Sequence, residues 1–303
     1  MPKKFYRTYS DSRLPHYSSQ LRHKAQFPPK DTNLSGKVAI ITGGNQGLGF
    51  ESARQFLSFQ LSHLIITARS AERGKAAVSK LQAEYPKAAI DVWILDMCSY
   101  DSVRAFSNRA ASELPRLDIV ILNAGRCKAN FELVPGTGHE EMLQVNYLST
   151  VLLATLLLPI LKAKSPLGAP GKLSIVSSGI TLFTKFWNSQ QKPLLKSFDD
   201  TKTAPAAGLE TYGATKMMCE MFVSKLVDYV SADDVVVNLV DPGMTMGTGL
   251  NRDVPRIIAV LASPMVAGIS RSVRDGASTY LDAVLVKGKE SHGCFIMDWE
   301  IRP

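Results

Sequence analysis

Beyond residue 34, short runs of Val, Ile and Leu alternate with stretches whose apolar residues return every three to four positions. Strand-like runs lie at 37–42, 64–67, 90–95, 118–122, 172–177, 235–240 and 294–297, the last of them closing the pattern. Helical periods fill 47–59, 71–85, 99–113, 140–161 and 212–230. Pro86 and Pro115 stand where the second and third helices must stop, since proline lacks the N–H that a helix interior needs. The strands show no polar alternation, as expected where both faces of a sheet are covered. Strand and helix in turn, with such strands, predict an α/β fold built on one doubly wound parallel sheet with helices on both faces. No repeat or second core interrupts residues 34–303, so one domain is expected there. Residues 179–211 break the rhythm: Phe183, Phe186 and Trp187 are followed by a polar segment with Pro193 and Pro205. A long irregular segment inside a compact domain is commonly functional.

Composition alters this picture little. The 303 residues are 45% hydrophobic and 20% charged, as in an ordinary globular protein. The net charge of +8 is uneven: residues 1–33 hold seven Lys/Arg and two Asp, or +5, leaving +3 elsewhere. That basic segment is rich in Pro, Ser, Tyr and Lys without an apolar period, and reads as a tail, poorly ordered or draped on the surface. Basic and aromatic residues do not interleave as in a nucleic-acid groove. Residues 151–161, the longest strongly apolar run, contain Pro159 and are too short to span a bilayer, and no secretory h-region follows the N-terminal charges. Cys98, Cys127, Cys219 and Cys294 are scattered without a CxxC pair, which indicates neither a metal site nor a disulfide framework and fits a cytoplasmic protein.

The chemistry-bearing residues come in an ordered series. Residues 42–49, Thr-Gly-Gly-Asn-Gln-Gly-Leu-Gly, follow the first strand. Gly43, Gly47 and Gly49 allow a tight turn and close backbone approach, while Asn45, Gln46 and Leu48 carry the chain into a helix N-terminus aimed at a pyrophosphate. The second strand runs into Ala68-Arg69. A carboxylate here would bind a ribose 2′-hydroxyl; Ala68 has none, and the Arg69 guanidinium suits a 2′-phosphate, with Arg73 as a possible helper. NADP(H) is therefore expected over NAD(H). Asp96 ends the third strand, where it either accepts from the adenine amino group or caps a turn. Asn123-Ala124-Gly125 ends the fourth, and its small residues let the backbone pass under the ribose and nicotinamide. Tyr212 and Lys216 are spaced i, i+4 and share one helix face.

In this order, the glycine turn, Asp96, Asn123-Ala124-Gly125, Asn146, Ser178, Tyr212, Lys216 and Pro242-Gly243 resemble the short-chain dehydrogenases/reductases, over roughly residues 36–250. The look is nearest to the retinol-dehydrogenase-like and fungal reductases of that family. The resemblance implies a Rossmann-like domain and an NADPH-dependent carbonyl reductase, reversible to an alcohol dehydrogenase. Tyr212 would be general acid, Ser178 would hold the substrate oxygen, with Ser177 as the alternative, and Asn146 would relay protons through water to Lys216. Lys216 would also bond the nicotinamide ribose. Lowering a phenol from about 10 to about 7 takes roughly 4 kcal/mol, and an ammonium about 4 Å away supplies about 4 kcal/mol at an effective dielectric of about 20. Pro242 and Gly243 would pass beside the nicotinamide, with Thr245 or Thr248 on its carboxamide.

The substrate implied is a lipophilic ketone or aldehyde, a natural-product intermediate first and a retinoid or steroid second. A non-catalytic NADP(H) sensor is the alternative of another class. Residues 179–211 exceed the family's usual length, so the pocket does not carry over. Phe183, Phe186 and Trp187 are either its apolar wall or a satellite core. Cys127 either lines the site or stands by. Residues 244–270 resemble the family's mobile substrate lid, or form a surface helix pair. The resemblance also implies a homodimer or tetramer through the helices at 140–161 and 212–230, where Met217, Met218 and Met221 are either interface or core.

Overall fold

The computed structural model describes residues 22–204, 208–247 and 270–302. Residues 1–21 of the basic tail, 205–207 of the long insertion and 248–269 of the expected lid, Thr248 included, lie outside the described residues.

The strands are β1 (Val38–Ile41), β2 (His63–Ala68), β3 (Ala89–Ile94), β4 (Ile119–Leu122), β5 (Gly171–Val176), β6 (Val235–Val240), β7 (Phe295–Met297) and β8 (Glu300–Arg302). They form one eight-stranded sheet in the order β3-β2-β1-β4-β5-β6-β7-β8. β1 to β7 are parallel, and β8 returns antiparallel to β7 with Ile296 opposite Ile301. The helices are α1 (Gly47–Ser58), α2 (Ala71–Glu84), α3 (Tyr100–Glu113), α4 (Ser149–Lys164), α5 (Leu209–Leu226) and α6 (Val273–Leu281).

The uniformly apolar strands feed two cores. Ile40, Val120, Leu122, Leu173 and Val237 point to one face, against Phe106 of α3, Leu157 of α4 and Val223 of α5. Their neighbours Ala39, Ile41, Ile119 and Ile121 point to the other, against Phe56 of α1, Leu81 of α2 and Tyr280 of α6. Period-two side-chain alternation with both faces covered explains why the inner strands lack an alternating polar face, their buried polar residues being few, Thr67, Ser174 and Asn238 among them. The edge strand β3 departs from this, with Ile94 49% exposed.

Three expectations are corrected. The helix expected over 140–161 is not regular: Leu143–Leu148 is a widened, π-type turn before α4, held by a Thr150 hydroxyl bond to the Val145 carbonyl at 2.8 Å. Such an inserted turn re-aims the side chains it carries, among them Asn146. The strand at 295–297 is not the last, since β8 pairs with it. α6 was not expected, because Gly276, Ser278 and Thr279 are weak helix formers; Gly276 is there because a Cβ would come within 2.6 Å of Thr245 Oγ1.

Leu143–Lys164 is the one stretch among the described residues long and apolar enough to cross a membrane, and 56% of that window is buried inside the fold. Part of the basic segment is draped on the surface: His23 approaches Glu300 at 3.5 Å, and Arg274 lies over the Phe27 ring.

Candidate active site

The strand order reverses between β1 and β4, with β2 and β3 on one side and β5 to β8 on the other. At such a switch point the loops leaving the strand C-termini open a crevice. The glycine turn, Asn123-Ala124-Gly125, Ser178 and Pro242-Gly243 leave β1, β4, β5 and β6 there.

Gly43 (φ 64°) and Gly47 (φ 56°) turn the chain through the left-handed region, where other residues are strained. Gly49 is demanded by packing, since a Cβ would stand 2.6 Å from both Asn123 Nδ2 and the Gly43 carbonyl. Asn123 Nδ2 donates to the Thr42 carbonyl at 2.8 Å, and its Oδ1 accepts from the Tyr280 hydroxyl at 3.0 Å. The Ala124 N–H reaches Thr42 Oγ1 at 2.9 Å, and the Gly43 N–H reaches Thr67 Oγ1 at 3.1 Å. Four elements thus pin the turn. Ser70, Ser99 and Ser272 cap the first turns of α2, α3 and α6 with their side chains, whereas Gln46 places none on the first-turn amides of α1. Amides without a side-chain cap at a helix N-terminus suit a phosphate. This is a fit for a dinucleotide pyrophosphate, with Asn45 in the turn and Leu48 packed toward Gly276.

β2 ends on buried Ala68, and Arg69 is exposed beyond it. Arg73 is also exposed, its N–H directed at Ser70 Oγ. Asp96 Oδ1 accepts from the Cys98 N–H at 3.0 Å, the turn role that the sequence left open. Thr245 directs its hydroxyl at the Gly243 carbonyl, 3.2 Å away, so it faces its own loop. The Pro242 carbonyl accepts from buried Arg271, whose guanidinium pairs with Asp298 and lies 4.4 Å from the Trp299 ring centroid. Thr245 and Arg271 form an isolated parallel bridge.

At the other end, α5 presents Tyr212 and Lys216, both buried, to the end of β5. The Tyr212 hydroxyl hydrogen-bonds Ser178. Ser177 points elsewhere, donating to Glu220 Oε1 at 2.7 Å, so Ser178 is the serine placed beside Tyr212. Lys216 Nζ donates to the Val176 carbonyl at 2.7 Å and lies 5.8 Å from the Tyr212 ring centroid. Burial pushes the Tyr212 phenol well above its ordinary value, and the adjacent Cys127 thiol adds to the rise, while the Ser178 bond opposes it. Burial also pulls the Lys216 ammonium down. The expected lowering of the phenol toward 7 is therefore corrected: burial is the largest influence on it and raises it, and Lys216 gives its ammonium to the Val176 carbonyl.

Asn146 spends its side chain on the loop after β4. Its Oδ1 accepts from the Arg126 N–H at 2.8 Å, and its Nδ2 donates to the Arg126 carbonyl at 2.8 Å and to Thr215 Oγ1 at 3.1 Å. Cys219 donates its thiol to the Asn146 main-chain carbonyl at 3.0 Å. Gly125 keeps the space between Asn146 and Lys216 open, for a Cβ would lie 3.3 Å from Asn146 Oδ1 and 3.4 Å from Lys216 Nζ.

The insertion after Ser178 is ordered by specific anchors. Glu210 Oε1 accepts the Lys185 and Phe186 N–H groups, each at 2.8 Å, and Asp199 accepts from the Glu140 N–H at 2.9 Å. Phe186 and Phe198 pack with Leu143, Ala214 and Met218 in a third small core. Phe186 and Met218 are thus satellite core, whereas Trp187 and Met221 are exposed, Trp187 under the Lys185 ammonium. Tyr280, Arg271 and Glu220 escaped the sequence reading. Only Glu220 had a legible signal, an acid one helical turn beyond Lys216.

Residues 37–189 match the family model described as short chain dehydrogenase. The short chain dehydrogenase/reductase mfmJ of Annulohypoxylon moriforme is 56% identical over 287 residues, covering 95% of this chain and 83% of that protein. The short chain dehydrogenase virL of Hypocrea virens is 46% identical over 303 residues, covering 94% and 88%. An NADPH-bound short chain oxidoreductase from Pseudomonas aeruginosa PAO1, 21% identical, shares the fold with a TM-score of 0.63 over 87% of this chain and 95% of that one. Strand order, site geometry and these relatives agree: the chain belongs to the short-chain dehydrogenase/reductase family of oxidoreductases.

Proposed function

We propose that this oxidoreductase is an NADPH-dependent carbonyl reductase, reversible to an alcohol dehydrogenase. The observation that carries this reading is the buried Tyr212–Ser178 pair with Lys216 behind it, facing the turn held by Asn123. The nicotinamide supplies hydride when bound. The α1 amides, Gly43, Asn45, Gln46, Gly47, Leu48 and Gly49 hold the pyrophosphate, and Asn123, Ala124, Gly125, Pro242, Gly243 and Thr245 flank the rest of the dinucleotide. Asp96 stands on the adenine side. Ser178 holds the substrate oxygen and Tyr212 gives it a proton; a phenol raised by burial stays protonated at neutral pH, the form a general acid needs. Lys216 faces the ribose and supports the proton donor. Asn146 holds the loop that carries Arg126, and in this reading a water in the space beside Gly125 links it to Lys216 as a proton relay.

Ala68 and exposed Arg69 favour a 2′-phosphate over a free hydroxyl, and the similar fold from Pseudomonas was solved with NADPH bound. The substrate in this reading is a lipophilic ketone or aldehyde. Exposed Trp187 in the insertion and exposed Leu209 at the start of α5 support it, and relatives from two fungi support a secondary-metabolite intermediate over a retinoid or steroid. The same reading places the enzyme in the cytoplasm as a homo-oligomer, with exposed Met221 of α5 as contact surface.

Tyr212→Phe tests the class. NADPH binding followed by fluorescence persists and carbonyl reduction falls at least about 100-fold, in the range of general acid catalysis. Retained turnover sinks the assignment of Tyr212, and a wild type that binds NADPH yet reduces no carbonyl of a broad panel favours the sensor.

A further inference from the structure

Three consecutive residues leaving β5 each engage α5. The Val176 carbonyl takes the Lys216 ammonium at 2.7 Å, the Ser177 hydroxyl gives to Glu220 Oε1 at 2.7 Å, and Ser178 bonds Tyr212. Tyr212, Lys216 and Glu220 are spaced i, i+4, i+8, so one helix face carries all three rungs. Thr181 bonds the Glu220 carboxyl as well, while its hydroxyl reaches the Ser178 carbonyl at 3.0 Å. Glu220 thereby grips the chain on both sides of Ser178.

We propose that Glu220 is a positioning residue for the reduction, holding the Ser177–Thr181 strap so that Ser178 meets Tyr212, and supplying the negative charge that faces buried Lys216. The inference rests on the reading of Tyr212, Ser178 and Lys216 as the reacting group. The surroundings are specific. The Ser177 hydroxyl donates to the carboxyl and Thr181, in the turn after β5, hydrogen-bonds it; Asp241 at the end of β6 repels the carboxylate and Lys216 of α5 itself attracts it. Burial pushes the Glu220 carboxyl up to about 7, the hydrogen bonds and Lys216 only partly opposing it. Burial depresses the Lys216 ammonium, and Cys219 and then Glu220, both on α5, only partly oppose it.

The test compares wild type, Glu220→Gln and Ser177→Ala, each first titrated with NADPH by fluorescence. Turnover is then followed with NADPH and two generic dicarbonyl probes, phenanthrenequinone and menadione, from about pH 6 to about pH 9. Wild-type kcat is expected to rise through about pH 7 as Glu220 ionises, and Glu220→Gln to lose that rise and run about tenfold slower at the plateau, with NADPH affinity within about twofold of wild type. Ser177→Ala is expected to keep the rise with kcat lowered about fivefold. An active wild type whose Glu220→Gln variant keeps its kcat and pH profile overturns the inference alone. Should Glu220→Gln not fold, wild-type kcat in Ser177→Ala overturns it instead. A wild type that binds NADPH and reduces neither probe overturns the proposed function, and this inference with it.

Discussion

Replacing Gly49 by Ala tests the packing of the dinucleotide turn at one atom. The added methyl would lie 2.6 Å from Asn123 Nδ2, 2.6 Å from the Gly43 carbonyl oxygen and 3.1 Å from the Gly43 carbonyl carbon. Two of those atoms are backbone, and Asn123 is held at 2.8 Å by Thr42 and at 3.0 Å by Tyr280. No flexible side chain can yield, so either the turn moves outward or Asn123 leaves its partners. Overpacking costs about 1–3 kcal/mol, and the two Asn123 bonds are worth about 1 kcal/mol each. Alanine in a helix returns about 0.5–1 kcal/mol over glycine, leaving a net loss of about 1–2 kcal/mol by either route. Urea denaturation measures that loss, and an NADPH fluorescence titration measures the turn, where a tenfold weaker affinity corresponds to about 1.4 kcal/mol. Gly136→Ala is the control, because a Cβ there meets nothing within 4 Å. Gly49→Ala with wild-type stability and NADPH affinity refutes the argument, as does an equal loss in Gly136→Ala.

Arg69→Ala should lower the NADPH-to-NADH affinity ratio by roughly tenfold, the lower end of a charge-assisted contact because the residue is exposed; titration with both cofactors checks it, and an unchanged ratio refutes the 2′-phosphate reading. Glu220 also sets a pH dependence of folding. Its carboxyl sits at about 7 in the folded chain against an ordinary 4.5, so the native state binds more protons between those values. Stability from this group is therefore lost as pH rises from about 4.5 to about 7, by on the order of 3 kcal/mol, and Glu220→Gln should flatten that decline in urea midpoints. Asp298→Ala strips the carboxylate from buried Arg271 and should cost about 3–5 kcal/mol in urea unfolding, with an unchanged midpoint arguing against a stabilising role of the ion pair.

The site was legible where local spacing carries the signal. Gly43, Gly47 and Gly49 announce a turn because few other residues accept the left-handed region or so close a backbone, and Tyr212 and Lys216 announce a shared face because helix geometry makes i and i+4 neighbours. The choice between Ser177 and Ser178 was not legible: adjacent strand residues point opposite ways, and only the position of α5 says which one meets Tyr212 and which meets Glu220. The state of the Tyr212 phenol was misjudged for a related reason, since a distance to Lys216 can be guessed from a helix but its burial and its Val176 acceptor cannot. Phe186 looked equally suited to a pocket wall or a core until Phe198, twelve positions on, closed over it with Met218.

Periodicity and glycine spacing define the doubly wound sheet, and the order of Asn146, Ser178, Tyr212 and Lys216 marks the candidate site, because each signal depends on neighbours a few residues away. α6, the return of β8, the Tyr280 hydroxyl on Asn123 and the Arg271–Asp298 pair depend on partners far along the chain. Tyr280 and Asn123 are separated by 157 residues, and no local pattern records such a contact. Folding brings these groups together by burying the apolar faces around them, and that shared burial then sets which serine lies beside Tyr212 and which groups hold their protons.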